Sequence, residues 1–260
     1  MEHKNVIVEK EGGIGFLVLN RPPLNIFNMD FFSEVTQTYE ELEADPEVRL
    51  IVVKSALKIF CGAADVSEIV TLDHIGCQKF FRSAARMFLT PLKLTKPTIA
   101  MVHGHALAVG MLITESCDLA VAFEDAMFGH TAVNVGLFCT FGSAVLSPRH
   151  MSKKKAMELA LTGELIDVKE AERLGIVNMV VPREKLEAAT VELAQKILRK
   201  NPGSLITAKR NFYACADMEY GKALEHSAEM LGLLADTEKA KEGMRAFLEK
   251  REPHWQQVDR

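Results

Sequence analysis

The stretch from Thr98 to Cys139 constrains this chain most. An apolar run ends at His103-Gly104, small residues follow from Ala106 to Gly110, and a second apolar run leads to Phe128-Gly129-His130. The spacing predicts strands over 99–102 and 119–122 around a helix from 106 to 115. Strand, helix, strand in that order argues a parallel α/β sheet with right-handed crossovers. A helix N-terminus above a strand end presents backbone N–H groups, which stabilise negative charge developing on an oxygen. No carboxylate stands on the first two turns of that helix, and none lies between His130 and Cys139.

The same reading extends outward. Val6 to Glu9 and Gly15 to Leu19 read as two strands joined at Gly12-Gly13, a hairpin signal. Asp30 to Ala44 has helical spacing, Leu50 to Val53 is a short buried strand, and Gln78 to Leu94 is an amphipathic helix stopped at Lys96-Pro97. Helices are expected over 153–162, 168–174 and 183–199, and a strand over 176–181. After Asn201-Pro202-Gly203 the chain reads as helical to about Lys250, with stops at Gly221 and Asp236.

Composition narrows the partners. The 260 residues are 48% hydrophobic, enough for a large core, and carry a net charge of −4. That balance gives no basic surface for nucleic acid. No apolar stretch is long enough for a membrane helix, and the charged start MEHKNVIVEKEGG is unlike a secretory signal. Five cysteines (Cys61, Cys77, Cys117, Cys139, Cys215) stand far apart with no CxxC pair. Neither a disulfide framework nor a zinc site is indicated, and a cytoplasmic protein without a metal is expected.

Three segments carry a resemblance to a known family. Phe60-Cys61-Gly62-Ala63-Ala64-Asp65-Val66 is similar to an F-[SC]-A-G-A-D-[IL] loop. Pro97 to Asp118 is similar to a K-P-x-I-A-x-V-x-G-x-A-x-G-G-G segment running to C-D. Leu161-Thr162-Gly163-Glu164, with Glu170-Ala171 and Gly175-Ile176-Val177, is similar to L-T-G-x-x-I-x-A-x-E-A-x-x-x-G-L-V. In that order and spacing the chain resembles the crotonase superfamily of enoyl-CoA hydratases and isomerases, from about Val6 to Trp255. The ending Ala246-Phe247-Leu248 to Trp255, and Val133 to Cys139, resemble a divergent branch, the enoyl-CoA hydratase domain-containing protein 3 group, which lacks both catalytic glutamates.

The resemblance implies an α/β fold with a crotonase-like ββα spiral core over residues 1–200 and a C-terminal helical trimerisation region over 201–260. It implies an acyl-CoA thioester as ligand, coenzyme A as part of that substrate with no other cofactor, and a homotrimer or a hexamer of two stacked trimers. It implies that the amides of Ala64 and Val109 hold the thioester oxygen as it becomes enolate-like. Coenzyme A would then run along Ala63, Ala64, Asp65, Val66 and Ser67, with Gly110 letting the backbone approach.

The departures matter as much. Gly62-Ala63 replaces the family's Ala-Gly, which bears on any positive-φ position there. Val109 replaces the middle glycine of the Gly-Gly-Gly run. Leu112 and Ala132 stand where hydratases carry their two glutamates, so the usual acid/base chemistry, a factor of roughly 10²–10⁴ for each group, does not carry over. Other side chains have two readings each. Cys139 stands where the naphthoate-synthase branch has an aspartate, and is an acid or nucleophile, or a core thiol. His130 is a base near neutral pH, or a packed histidine. Asp65 is a helix cap beside the site. Glu115 either reaches the pocket or pairs with a buried cation. Asn134 is a donor to substrate or a turn residue, and Lys250 and Arg251 are phosphate ligands or a solvated helix end. Three functions stay open on these residues: an enzyme with a non-glutamate mechanism, a silent acyl-CoA binder, and a bare scaffold.

Overall fold

The computed structural model describes residues 3–139 and 141–255, apart from the side chain of Ser143. Strands β1 (Val6–Glu11) and β2 (Ile14–Leu19) form the expected hairpin, turned by Gly12 and Gly13 at φ of +56° and +84°. Glycine alone takes that region without a Cβ penalty. Helix α1 (Met29–Ala44) starts where the Asn28 side chain accepts from the Phe31 amide. Strand β3 (Leu50–Ser55) lies parallel to β2. Helices α2 (Val66–Ile69) and α3 (His74–Lys93) lead to β4 (Thr98–Val102) beside β3. Helix α3 begins before the expected Gln78, because the Asp73 side chain caps the Gly76 amide.

The segment after β4 departs from expectation. Residues His105–Leu107 form strand β5, and helix α4 starts only at Val109 and runs to Ser116. Ala106 is therefore extended rather than helical. The backbone of Cys61 is the cause: its N–H donates to His105 O, and its carbonyl accepts from Leu107 N. Strands β6 (Leu119–Phe123) and β7 (Met127–Gly129) follow. Helices α5 (Ser147–His150) and α6 (Lys153–Thr162), strand β8 (Ile166–Asp167), helix α7 (Val168–Arg173), strand β9 (Met179–Val181) and helix α8 (Leu186–Leu198) complete the core.

The main sheet has the order β1-β2-β3-β4-β6-β9, and only its first pair is antiparallel. Its central strands are buried on both faces, which explains their continuous apolar runs. A second sheet, β5-β7-β8, stands above it. This is the α/β crotonase-like arrangement that the sequence resemblance implies.

Three C-terminal helices follow: α9 (Pro202–Cys215), α10 (Tyr220–Ala235) and α11 (Glu238–Leu248). Gly221 is not a stop; it lies in the first turn of α10, where the Glu219 side chain accepts from the Gly221 and Lys222 amides. Asp236 does end that helix. One buried network ties α9 to the core. Asp118 accepts from Lys209 Nζ at 2.7 Å and Tyr213 Oη at 2.8 Å, and from Thr98 through its amide and hydroxyl. The outer faces stay apolar and exposed, with Phe212, Leu231, Leu233, Phe247 and Leu248 each more than 60% accessible. Among the described residues no helix is long and apolar enough to cross a membrane.

Candidate functional site

A cavity of about 130 Å³ opens between the 62–66 loop, α3, the start of α4, the segment 131–139 and Phe141. Its walls are nearly all carbon. The loop contributes Ala63, Ala64 and Val66, α3 contributes Phe80, Phe81 and Phe88, and α4 contributes Val109 and Leu112. Ala132 and Cys139 close the far side.

The loop is held from behind. Phe27 N donates to Ala63 O and Asp65 N donates to Phe27 O, so the intervening Ala64 amide turns the other way. Neither Gly62 nor Ala63 has a positive φ, so the Gly-Ala order costs no left-handed residue. A Cβ at Gly62 would lie 2.9 Å from Ile26 Cδ1, a flexible side-chain end that can shift, and 3.3 Å from Leu24 O. Asp65 caps α2 by accepting from the Glu68 amide, and Ser67 Oγ donates to it at 2.5 Å. That hydrogen bond, with further help from the Glu68 amide and Arg21, holds the Asp65 carboxyl below its usual range despite partial burial.

The start of α4 is strained. Ala108 sits at φ +45° and ψ −102°, a region favourable only to glycine. It occupies the first position of the family's three-glycine run. Its side chain caps nothing, and the Val109 amide belongs to a helix's first turn, which has no intrahelical acceptors. Among the described residues neither the Ala64 nor the Val109 amide donates to a protein acceptor. Gly110 does not line the cavity. It backs onto the loop, where a Cβ would meet Cys61 O at 2.9 Å.

Behind the cavity lies a chain of buried polar groups. Cys139 Sγ is 3.0 Å from His130 Nδ1, and His130 Nε2 is 2.7 Å from Ser147 Oγ. Ser147 Oγ donates to Glu115 Oε1 at 2.5 Å. Glu115 Oε2 is buried and has no hydrogen-bond partner among the described residues. Burial on its own lowers the His130 pKa. The hydrogen bonds and charges of Cys139 and Glu115 outweigh that and push it up to about 10. Glu115 Oε1 stands 3.7 Å from Nε2, beyond hydrogen-bond length, so its pull acts by charge and through the Ser147 hydroxyl. The ring is packed against Gly142, where a Cβ would fall 2.2 Å from His130 Cε1. Residues Gly142–Leu146 form a π-helical turn, which delivers Ser147 to the ring.

Of the residues singled out in the sequence, Ala63, Ala64, Val66, Val109 and Cys139 line the cavity. His130 stands behind Cys139. Asp65 and Ser67 bond each other and do not line it. Asn134 donates to Gly163 O, and His103 bonds Leu57 O; both serve the local backbone. Arg251 is held by both oxygens of Glu242, at 2.7 and 2.9 Å, which makes it a helix-end clamp. Glu115 meets a hydroxyl and a histidine rather than a lysine or arginine. Ser147 escaped sequence reasoning, since nothing in Leu146-Ser147-Pro148 distinguishes it from a turn serine. Among the described residues no group of three or more His, Cys, Asp or Glu could hold a metal.

Comparison with known proteins shows the family and the fold. The family model described as enoyl-CoA hydratase/isomerase matches residues 9–258. A short-chain-enoyl-CoA hydratase of Clostridium acetobutylicum is 35% identical, over 96% of this chain and 97% of that one. A crotonyl-CoA hydratase of Syntrophomonas wolfei is 32% identical, over 98% and 99%. The crystal structure of an enoyl-CoA hydratase from Mycobacterium smegmatis superposes with a TM-score of 0.94 at 31% identity, over 97% of this chain and 99% of that one. That of human enoyl coenzyme A hydratase domain-containing protein 3 gives 0.93 at 27%, over 97% and 100%. The chain belongs to the enoyl-CoA hydratase/isomerase family.

Proposed function

We propose that this protein binds an acyl-CoA thioester with its carbonyl oxygen on the amides of Ala64 and Val109 and its acyl chain in the apolar cavity. One observation carries the reading: two amides that find no acceptor among the described residues belong to residues that line the same cavity. Donors preset where charge appears on an oxygen are a large catalytic term, and losing one typically costs about 3 kcal/mol in the barrier. Coenzyme A would follow the 63–67 loop. Leu112 and Ala132 supply no proton transfer, so the reaction is not hydration by the two-glutamate route, and the chain groups with the divergent branch named above. The exposed apolar faces of α9 to α11 suit self-association as a trimer or a hexamer.

A second reading, binding without turnover, rests on the same Leu112 and Ala132. Titration calorimetry with butyryl-CoA and crotonyl-CoA tests the shared part. Mass spectrometry of the thioesters after incubation separates the two. Saturable binding with product favours the enzyme, and binding alone favours the silent binder. No binding of either thioester refutes both.

A further inference from the structure

We infer that Cys139 is a nucleophile toward 2-enoyl-CoA thioesters, adding its sulfur to the β-carbon of the conjugated double bond. The inference rests on the acyl-CoA reading above and names the substrate class and the reacting atom.

Three features of the buried chain support it. The first is direction. Ser147 Oγ donates to Glu115 and therefore accepts from His130 Nε2–H. That turns Nδ1 toward the Cys139 sulfur, where it accepts the thiol proton when the ring is neutral and donates to the thiolate when the ring is charged. Proton transfer from sulfur to Nδ1 yields a thiolate beside an imidazolium, the activated form of a cysteine nucleophile. The second feature is the far end. Glu115 is 2% exposed, and its Oε2 has no hydrogen-bond partner among the described residues. A buried carboxylate so poorly satisfied is costly in a purely structural network. It is repaid when an imidazolium forms 3.7 Å away. The third is location. Of the four side chains only Cys139 lines the cavity, beside Leu112 and Ala132. Hydratases of this family carry at those two positions the groups that bring water to the β-carbon and a proton to the α-carbon. With both gone, the Cys139 thiol and the Thr131 hydroxyl are the nucleophilic groups among the described side chains of that wall, and a thiol activated by a histidine is the stronger of the two.

The electrons balance without a further reactant. The thiolate forms a C–S bond to the β-carbon, and the π pair of the C=C bond moves onto the thioester oxygen held by the Ala64 and Val109 amides. The resulting enolate takes the proton from the His130 imidazolium at the α-carbon. The net change is addition of S–H across the double bond, with the thioester and coenzyme A retained. His130 carries the proton, and Ser147 and Glu115 are positioning residues.

The test is intact-protein and peptide mass spectrometry of the full chain incubated with crotonyl-CoA or with butyryl-CoA. The expected result is a gain of the whole crotonyl-CoA mass, mapped to Cys139, and no gain with saturated butyryl-CoA. Cys139→Ser abolishes the adduct, and His130→Gln slows its formation by about 10²-fold or more. Ser147→Ala changes the pH profile of the adduct rate, which a merely structural serine would not do. Transfer of the acyl group alone, adducts confined to the half-buried Cys77 or Cys215, or no adduct while calorimetry shows crotonyl-CoA bound would each overturn the inference. Absence of binding in calorimetry instead removes the acyl-CoA reading on which it stands. The site map on the parent chain decides the matter even if a variant fails to fold.

Discussion

Replacing Ala108 by glycine stabilises the protein, although glycine normally weakens it. Ala108 holds φ +45° and ψ −102° at the junction of β5 and α4. A non-glycine residue in so sparse a region stores about 1–3 kcal/mol. Glycine removes that strain and adds about 0.5–1 kcal/mol of unfolded-state entropy. The lost methyl is half-buried at the cavity wall, so its burial is worth about 0.4 kcal/mol, half of a full methylene. The balance is a net stabilisation of about 1 kcal/mol, or roughly 2–4 °C in Tm for a chain of this size. Calorimetry of parent and variant at one protein concentration reads it, since self-association shifts apparent stability. A fall in Tm of 2 °C or more would refute the claim that this turn is strained, and with it the account of how the Val109 amide is aimed.

Further outcomes follow from the same structure. His130 has its pKa raised from an ordinary 6.5 to about 10, so the native state binds its proton more tightly. That stability is fully present below pH 6.5 and disappears as pH rises toward 10, a slope His130→Gln loses in Tm-versus-pH scans. Lys209→Met leaves Asp118 without its cation and lowers stability by about 3 kcal/mol in denaturant titrations, since Asp118 keeps Thr98 and Tyr213. Installing both family carboxylates, Leu112→Glu with Ala132→Glu, raises crotonyl-CoA hydration by about 10²-fold or more in a spectrophotometric assay.

Much of this was legible in the residues. Hairpin, crossover strands and the loop at Phe60 to Asp65 follow from glycine placement and apolar runs. Ala106 was misread as helical because small residues suit both states. The deciding bonds come from Cys61, which lies 45 positions earlier. Gly221 was misread as a stop because a glycine is also tolerated in a first helical turn, which the Glu219 side chain supplies here. Cys139 and His130 could be named singly from sequence, but their contact through a π-helical turn with Ser147 and Glu115 could not. Glu115 and Ser147 stand 32 residues apart and meet only after α4 and α5 pack. Residues such as Gly142 explain why: what matters is the space they leave, which only the folded ring of His130 reveals.

Isotope-edited infrared spectroscopy of bound butyryl-CoA carrying a ¹³C-labelled thioester carbonyl tests the central claim most directly. Two amides donating to that oxygen weaken its C=O bond, so the stretch of the bound thioester moves to lower frequency than in water. A stretch unchanged or raised on binding would show that Ala64 and Val109 do not grip the carbonyl.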